Sequence, residues 1–388
     1  MQLRPHQQVG LDALSKYNKG QVIVPTGGGK TLIAIMDAVR RLKDGNKTIV
    51  VVAPRILLAD QLSSEFLELI TNVSVLHVHS GKTHHDSTTN PETIRWWVDK
   101  NEGNKLIFTT YHSLHRIQES DISVDTIYFD EAHNSVQKNF IESVEYFSTN
   151  YAKRCYFFTA TPKHSLTPMK AGMNDGDIFG QVICNVPAPE LVEQGYILPP
   201  KVSVKKLPEF DDSRFKYEHE CDHVLETIDE HNTDKILICA KSTRQITQFV
   251  SLTKFVDELS TRGYSYMYIT SKTGAVINGE KVSREEFFNT LNAWGKGDER
   301  FVVLHHSILS EGINVKGLET VLFLRNMDYI GISQTIGRVI RIGKKEKTHG
   351  LICVPVCGKV GISTARKVEA VVCTVFDKGE PAISTIRR

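Results

Sequence analysis

Short, nearly continuous apolar runs alternate with helical patterns along most of this chain. Such runs are typical of strands in a parallel sheet that is covered on both faces, whereas one-sided sheets alternate polar and apolar residues. The runs are "QVIV", "TIVVVA", "VSVLHV", "KLIFTT", "TIYFD" and "CYFFTA", followed by "KILICA", "YSYMYIT", "RFVVLHH", "TVLFL" and "GLICVPV". The alternation predicts an α/β fold built on mostly parallel sheets flanked by helices.

Length and a proline-rich interruption divide this pattern into two domains. At 388 residues the chain is too long for one ordinary core. The stretch "NVPAPELVEQGYILPPKV" breaks the rhythm, and its consecutive prolines Pro199 and Pro200 favour an extended connection. We therefore expect one domain over residues 1–199 and a second over residues 200–388.

Composition excludes some classes of protein and leaves others open. The apolar runs are far shorter than the roughly 20 residues of a membrane span, so no membrane association is expected. The start "MQLRPHQQVG" lacks the apolar core of a signal peptide, and the 7 cysteines are dispersed as reduced thiols usually are. These features predict a cytoplasmic protein. The net charge of +2 does not decide whether it binds nucleic acid.

The stretch "PTGGGKT" lies between the run "QVIV" and an amphipathic helical pattern. This strand–loop–helix context is that of a phosphate-binding loop, in which glycines turn backbone N–H groups toward phosphate oxygens. Lys30 can reach the β- and γ-phosphates, and the Thr31 hydroxyl can hold Mg²⁺. The general pattern GxxxxGK[ST] places glycine where this chain has Val24, so the loop is a proline-bearing variant. The residues expected to bind the nucleotide are Thr26, Gly27, Gly28, Gly29, Lys30 and Thr31.

A second motif, "TIYFDEAHN", supplies acidic groups for the same chemistry. Its apolar strand delivers Asp130 and Glu131 to the carboxyl edge of a sheet, where open α/β sheets bind ligands. We expect Asp130 to hold Mg²⁺ through water and Glu131 to orient and deprotonate the attacking water. The two motifs together predict an enzyme that hydrolyses ATP with Mg²⁺.

With both motifs in place, the chain resembles a superfamily 2 helicase of the DEAH type. The motifs that carry the resemblance are "LRPHQQ", "PTGGGKT", "VVAPRILLADQ", "FTTYHSL", "DEAH", "TATP", "ILICAKS", "ILSEGINVKGL" and "QTIGRVIR", in family order. The last two are most similar to phage UvsW-type recombination helicases and to their restriction-translocase and XPB-type relatives. The resemblance implies two tandem RecA-like domains with the nucleotide cleft between them. It also allows that the expected cytoplasm is that of a host cell, if the chain is phage-encoded.

The resemblance implies further roles for individual residues. Arg4 and Gln7 would bind the nucleotide at its adenine edge, and Gly312 and Asn314 would approach it from the second domain. His133, Thr159 and Thr161 would couple the nucleotide site to the nucleic-acid path. The residues implied to contact the nucleic-acid backbone are Pro54, Arg55, Thr110, Tyr111, Ser242 and Ser310.

Motif "QTIGRVIR" is implied to act on the γ-phosphate through Gln334, Arg338 and Arg341. Helical spacing would place these three side chains on one face. An arginine supplied in this way stabilises the transition state of phosphoryl transfer, with effects on the order of 10³–10⁵ in rate in related systems.

The function implied is that of an ATP-driven helicase or translocase acting on nucleic acid. DNA is favoured over RNA, in recombination, repair or the remodelling of branched DNA, with contacts mainly to the strand backbone. A monomer is expected, with a possible accessory protein for substrate selection. An RNA helicase, or a DNA translocase or annealing ATPase that does not separate strands, fits the same motifs. A small-molecule kinase would need neither "DEAH" nor "QTIGRVIR". A silent binding module need not keep all four of Lys30, Glu131, Arg338 and Arg341.

Four histidines in "HVHSGKTHHDSTT" form a separate cluster in the sequence. They are His77, His79, His84 and His85, and they span a strand end and a polar loop. This placement favours a mobile surface loop over a zinc site.

Overall fold

The computed structural model of the protein describes residues 2–208, 215–306, 317–343, 347–357 and 361–387. The chain divides into two compact units, which we call the first unit (Met1–Pro187 with Pro381–Arg388) and the second unit (Ala188–Glu380). The sequence predicts a boundary after residue 199, whereas the two units divide after Pro187. The segment Pro381–Arg388 belongs to the first unit, although it falls within the second predicted domain. Both units are built from helices and largely parallel sheet, so the predicted α/β class is confirmed.

The first unit contains an eight-stranded sheet in the order β4-β3-β5-β2-β6-β7-β1-β9, and every pairing in it is parallel. Its strands, with the short strand β8, are β1 (Lys19–Ile23), β2 (Thr48–Ala53), β3 (Ser74–Val78), β4 (Asp86–Ser87), β5 (Lys105–Thr110), β6 (Val124–Phe129), β7 (Ala152–Thr159), β8 (Lys163–Ser165) and β9 (Val182–Asn185). Strands β2, β5 and β6 are buried along their whole length, as their unbroken apolar runs predict.

Helices pack beside this sheet and fill the connections between its strands. They are α1 (Pro5–Lys16), α2 (Lys30–Leu42), α3 (Ile56–Leu67), α4 (Pro91–Lys100), α5 (Leu114–Ser120), α6 (Ile141–Tyr146) and α7 (Gly176–Phe179). A 3₁₀ turn over Ala132–Asn134 follows β6, and a π-helical turn over Phe147–Tyr151 precedes β7.

A buried charge network attaches α1 and α2 to the sheet. Asp37 of α2 has no exposed side-chain surface, and its carboxylate accepts hydrogen bonds from Arg40, from Arg41 Nε at 2.7 Å and from the Tyr128 hydroxyl at 2.7 Å. Arg41 also donates to the carbonyl of Leu14 in α1 at 2.8 Å. Because α2 begins at Lys30, this network fixes the helix that carries the phosphate-loop lysine.

The second unit contains another eight-stranded sheet, in the order β10-β17-β16-β11-β15-β12-β13-β14. Its strands are β10 (Pro200–Leu207), β11 (Lys235–Cys239), β12 (Ser265–Thr270), β13 (Gly274–Ile277), β14 (Glu280–Val282), β15 (Phe301–His305), β16 (Thr320–Phe323) and β17 (Gly350–Cys357). All pairings are parallel except those of β13 with β12 and β14. Its helices are α8 (Ala188–Glu193), α9 (Lys216–His231), α10 (Thr243–Leu252), α11 (Phe255–Thr261), α12 (Arg284–Lys296), α13 (Tyr329–Val339) and α14 (Ile362–Val372).

Two local features of the second unit are a helix break and a tight hairpin. The helical segment from Thr243 onward is divided after Leu252, where Thr253 is extended and its hydroxyl accepts the N–H of Phe255 at 3.2 Å. The hairpin of β13 and β14 turns at Asn278 and Gly279, with φ angles of 46° and 88°. An Asn-Gly pair is a strong hairpin signal, so this hairpin could have been read from the sequence.

The end of the chain returns to the first unit. A final strand, β18 (Ser384–Ile386), pairs in parallel with β8 (Lys163–Ser165). The Ser384 N–H donates to the carbonyl of Pro162 at 3.0 Å, at the end of the "TATP" motif. Within the described part of the chain, no helix has both the length and the apolar character needed to cross a lipid bilayer.

Candidate functional site

The phosphate loop leads from β1 directly into α2. Gly27 and Gly29 have φ angles of 89° and 84°, in the left-handed region that glycine adopts without strain. The Val24 N–H donates to the carbonyl of Thr159 at 3.1 Å, which ties the start of the loop to β7. Lys30 and Thr31 are therefore the first residues of α2, where backbone N–H groups and the helix dipole favour an anion.

Helix α1 supports the loop from the side. The ring of His6 donates from Nε2 to the carbonyl of Gly28 at 2.7 Å, and Gln7 Nε2 donates to the carbonyl of Gly29 at 3.4 Å. The Gln7 Oε1 accepts the N–H of Arg4 at 3.0 Å, and Gln7 is buried. A Cβ at Gly29 would lie 2.4 Å from Gln7 Nε2, so any larger residue would displace this side chain.

Gln7 thus contacts the phosphate loop, whereas the expected role was recognition of adenine; that role stays a prediction. His6 was not predicted. Its only signal in the sequence was its place beside Gln7 in "LRPHQQ".

Asp130 follows β6 at the carboxyl edge of the sheet. Its N–H donates to the carbonyl of Val52 at 2.9 Å, and its own carbonyl accepts the Tyr111 hydroxyl at 2.9 Å. Burial raises the pKa of Asp130 to about 7, and the neighbouring charge of Glu131 adds to this, whereas the charge of Lys30 opposes it. A divalent cation at this carboxylate would favour its ionised form.

Glu131 meets the phosphate-loop lysine. Its backbone is left-handed, with φ 45° and ψ 53°, which is uncommon for a residue with a side chain and is found more often at functional sites. The Lys30 Nζ lies 2.9 Å from Glu131 Oε1, and the two side chains are only 10% and 13% exposed. The loop and the acidic motif, far apart in sequence, therefore form one site.

Lys30, Thr31 and Asp130 line the same small cavity at the start of α2. The Thr31 hydroxyl and the Asp130 carboxylate supply oxygen ligands of the kind that Mg²⁺ prefers. These residues therefore fit a magnesium ion beside a bound triphosphate.

His133 links Glu131 to the "TATP" motif. Its Nδ1 lies 3.1 Å from Thr159 Oγ1, 3.4 Å from Thr161 Oγ1 and 3.5 Å from Glu131 Oε2. The Thr161 N–H also donates to Thr159 Oγ1 at 3.0 Å. The three residues that were expected to couple ATP hydrolysis to the nucleic acid are thus in contact, and their coupling role stays a prediction.

The residues expected to contact nucleic acid in the first unit lie together at the sheet edge. Ala53 of β2 is opposite Thr110 of β5, so Pro54 and Arg55 lie beside Thr110 and Tyr111. Arg55 is exposed at the start of α3, but the Tyr111 side chain is only 2% exposed. A strand contact at position 111 would therefore fall to the backbone rather than to the ring.

Three described motif residues of the second unit cap a helix or lie on one. Ser242 is the N-cap of α10, and its Oγ accepts the N–H of Gln245 at 3.1 Å. Gln334 and Arg338 both lie on α13, one helical turn apart, and Arg338 is buried. Ser310, Gly312 and Asn314 were also expected to act in this unit, and they lie outside the described residues.

Arg341 does not lie on α13, which corrects the expected arrangement of three residues on one helical face. The helix ends at Val339. Lys347 donates to the carbonyls of Val339 and Arg341, which backbone N–H groups would occupy in a further turn. Only Gln334 and Arg338 share a helical face.

The histidine cluster also departs from expectation. His77 and His79 are buried at the end of β3, with exposed fractions of 1% and 3%, whereas His84 and His85 are exposed. Only the second pair therefore occupies a surface position.

Sequence models of two known families match this chain, one in each unit. The sequence model of the family described as "Type III restriction enzyme, res subunit" matches residues 1–164, and that of the "Helicase conserved C-terminal domain" matches residues 219–343. No curated protein matches the chain.

Solved structures similar to the whole chain include two restriction enzymes. One is the ATP-dependent Type ISP restriction-modification enzyme LlaBIII bound to DNA, with a TM-score of 0.76 and 17% identity over 100% of this chain. The other is a nuclease-deletion mutant of the Type ISP enzyme LlaGI in complex with a DNA substrate mimic, with a TM-score of 0.69 and 18% identity over 99% of this chain. This chain spans only 31% and 30% of the length of those two chains.

The fold and the site define a protein of two RecA-like domains with a phosphate loop and an acidic strand end. The two family models match the two domains of a superfamily 2 helicase, one after the other, and restriction enzymes are among the similar structures. The predicted superfamily and enzyme class are confirmed, and the closer likeness to UvsW-type helicases stays a prediction.

Proposed function

We propose that this chain hydrolyses ATP with Mg²⁺ to move along nucleic acid, and that DNA is its substrate. The observation that carries the proposal is the 2.9 Å contact between Lys30 Nζ and Glu131 Oε1, with Thr31 and Asp130 on the cavity beside it. A phosphate ligand, a general base and oxygen donors for a cation are the parts that phosphoryl transfer requires.

Each residue has a defined task in this proposal. Backbone N–H groups of the loop and the Lys30 ammonium bind the β- and γ-phosphates, and Thr31 and Asp130 hold Mg²⁺, which neutralises developing charge on the phosphates. A γ-phosphate competes with Glu131 for Lys30. Release of Glu131 frees its carboxylate to accept a proton from the attacking water.

His133 is positioned to transmit the change at Glu131. Because its ring contacts both Glu131 and the two threonines of "TATP", movement of the Glu131 carboxylate alters the hydrogen bonds of Thr159 and Thr161. In the proposal this links phosphate release to the segment that follows β7. The roles of Gln334, Arg338 and Arg341 on the γ-phosphate are part of the proposal and rest on the motif resemblance.

One observation supports DNA as the substrate, and another supports binding along the strand backbone. The similar restriction enzymes are described as bound to DNA or to a DNA substrate mimic. Arg55 is exposed at the sheet edge, and Pro54 and Thr110 lie beside it. Contacts of this kind read phosphates rather than bases, so little sequence preference is expected. Recombination, repair or the remodelling of branched DNA is the proposed setting.

ATPase stimulation tests the proposal. Turnover is measured with single-stranded DNA, duplex, forked DNA and RNA, each over a range of salt concentrations. We expect DNA to stimulate turnover and the apparent affinity to fall steeply with salt, because phosphate contacts release counterions. Lys30→Ala should abolish turnover and leave the fold intact, while Lys43→Ala, an exposed lysine just after α2, should match the parent.

The alternatives give different results in the same assay. Greater stimulation by RNA identifies an RNA helicase, and turnover indifferent to any polynucleotide contradicts the motor proposal. No turnover with saturating Mg-ATP and DNA indicates a silent binding module. Strand displacement on a forked substrate, measured beside ATP turnover, separates a helicase from a translocase or annealing enzyme.

The setting of the motor is also part of the proposal. A monomer in the cytoplasm, or in a host cytoplasm if the chain is phage-encoded, is consistent with the motifs. A possible accessory protein for substrate selection is part of the same proposal.

A further inference from the structure

Two histidines and an aspartate converge between helix α3 and the end of strand β3. His77 Nδ1 lies 3.0 Å from His79 Nε2, and Asp60 Oδ1 lies 3.3 Å from the first and 3.5 Å from the second. Zinc binds imidazole nitrogen and carboxylate oxygen at about 2.0–2.1 Å, which separates tetrahedral ligand atoms by roughly 3.3–3.4 Å. The three atoms therefore have the spacing of one face of a coordination shell.

The surroundings of the three atoms are those of a built site rather than a surface cluster. His77 and His79 are 1% and 3% exposed. The Asp60 Oδ1 atom is itself buried and has no hydrogen bond of normal geometry.

A second residue of α3 orients the first histidine. His77 Nε2 lies 3.1 Å from the hydroxyl of Ser63, which is buried. When Nε2 carries the hydrogen and donates it to Ser63, Nδ1 keeps its lone pair toward Asp60 and His79. Metal-binding histidines are held in this way by a hydrogen bond from the other ring nitrogen.

We propose that Asp60, His77 and His79 bind a divalent transition-metal ion, with Zn²⁺ as the preferred ion and a fourth position open to water or another ligand. Two imidazoles and one carboxylate form a ligand set suited to this class of ion. Among the residues that the structure describes, no other cluster of three or more histidine, cysteine or acidic side chains has ligand atoms this close together.

Metal binding requires one local change. His79 Nδ1 accepts the N–H of Gly81 at 3.1 Å, so the neutral ring carries its hydrogen on Nε2. A neutral ring bound to metal through Nε2 carries that hydrogen on Nδ1 instead, and can no longer accept from Gly81. The ion therefore replaces the hydrogen bond between His77 and His79, and the Gly81 N–H loses its hydrogen bond to His79 Nδ1.

The ion would clamp α3 to β3. Asp60 and Ser63 lie on α3, and His77 and His79 lie on and just after β3. Helix α3 begins directly after Arg55. A metal here would therefore fix the position of Arg55 at the sheet edge; this consequence rests on the proposed function, whereas the binding itself does not.

Titration of the full-length, tag-free protein with Co²⁺ and Zn²⁺ tests the site. We expect a single equivalent of Co²⁺ to give the intense visible absorption of a four-coordinate ion with nitrogen and oxygen ligands, and Zn²⁺ to displace it. Asp60→Asn keeps the size of a half-exposed side chain, so it should fold. It should weaken Co²⁺ and Zn²⁺ binding at least about tenfold.

Two further variants complete the test. His77→Gln should abolish the absorption, with circular dichroism reporting whether the variant folds. His115→Ala removes an exposed histidine on α5 and should bind as the parent does. Failure of the parent to bind a stoichiometric ion would overturn the proposal, as would unchanged affinity in Asp60→Asn. Loss of binding in His115→Ala would overturn it too, since the ion would then lie elsewhere. None of these readouts involves ATP or DNA, so they are independent of the motor proposal.

Discussion

Replacement of Asp37 by asparagine tests how the phosphate-loop helix is fixed. The carboxylate has no exposed surface and faces two arginines and the Tyr128 hydroxyl. Asparagine has nearly the same shape, so Asp37→Asn removes the charge and one acceptor without opening a cavity. Arg41, which is 12% exposed, then keeps a positive charge without its carboxylate partner.

The expected loss of stability is large. Breaking a buried ion pair by removing one partner costs about 3–5 kcal/mol, because the remaining charge stays desolvated. This is a substantial part of the roughly 5–15 kcal/mol that stabilises a typical domain. With a urea dependence of about 2 kcal/mol per molar, the unfolding midpoint should fall by roughly 1.5–2.5 M.

Tryptophan fluorescence can assign the unfolding to the first unit. Of the 3 tryptophans, Trp96 and Trp97 lie in the first unit and Trp294 lies in the second. In a Trp294→Phe background, urea unfolding therefore reports on the first unit. Asp44→Asn, an exposed aspartate just after α2, is the matched control and should change stability by less than about 0.5 kcal/mol. A midpoint for Asp37→Asn within about 0.5 M of its background would refute the reasoning.

Three other variants give distinct outcomes. Glu131→Gln should lower single-turnover ATP hydrolysis by about 10²–10⁴ while bound ATP and DNA are retained in filter binding, and rapid clearance of ATP would contradict its role as base. Gln7→Ala should raise the KM for ATP roughly fivefold through loss of about 1 kcal/mol of loop support, whereas Gln8→Ala, an exposed neighbour, should leave KM unchanged. Burial, and then the charges of Arg325 and Arg338, lower the pKa of His305 well below its usual value. Only the unfolded chain takes up this proton below about pH 6.5, so stability should fall by up to about 1.4 kcal/mol per pH unit on acidification. Urea unfolding of His305→Gln should lose this slope, and an unchanged slope would assign the acid sensitivity to other groups.

Much of the candidate site could be read from the sequence because its parts are local. The glycines at positions 27 and 29 are needed by the backbone of a single loop, and the run before Asp130 is apolar because β6 is buried on both faces. The ends of helices were harder to predict from the sequence. The break before Phe255 coincides with a hydrogen bond to the Thr253 hydroxyl, and the end of α13 coincides with hydrogen bonds from Lys347, which follows the helix in sequence.

By itself, the sequence determined the α/β class, the phosphate loop and the acidic strand end, because periodicity and loop chemistry act over a few neighbouring residues. Only the tertiary structure decided which distant side chains meet. Strand order brings Glu131 to Lys30, the docking of α1 turns Gln7 toward the phosphate loop, and the packing of α3 beside β2 and β5 brings Asp60 to His77. Such contacts depend on the order of strands and the packing of helices across the sheet, which no local pattern encodes.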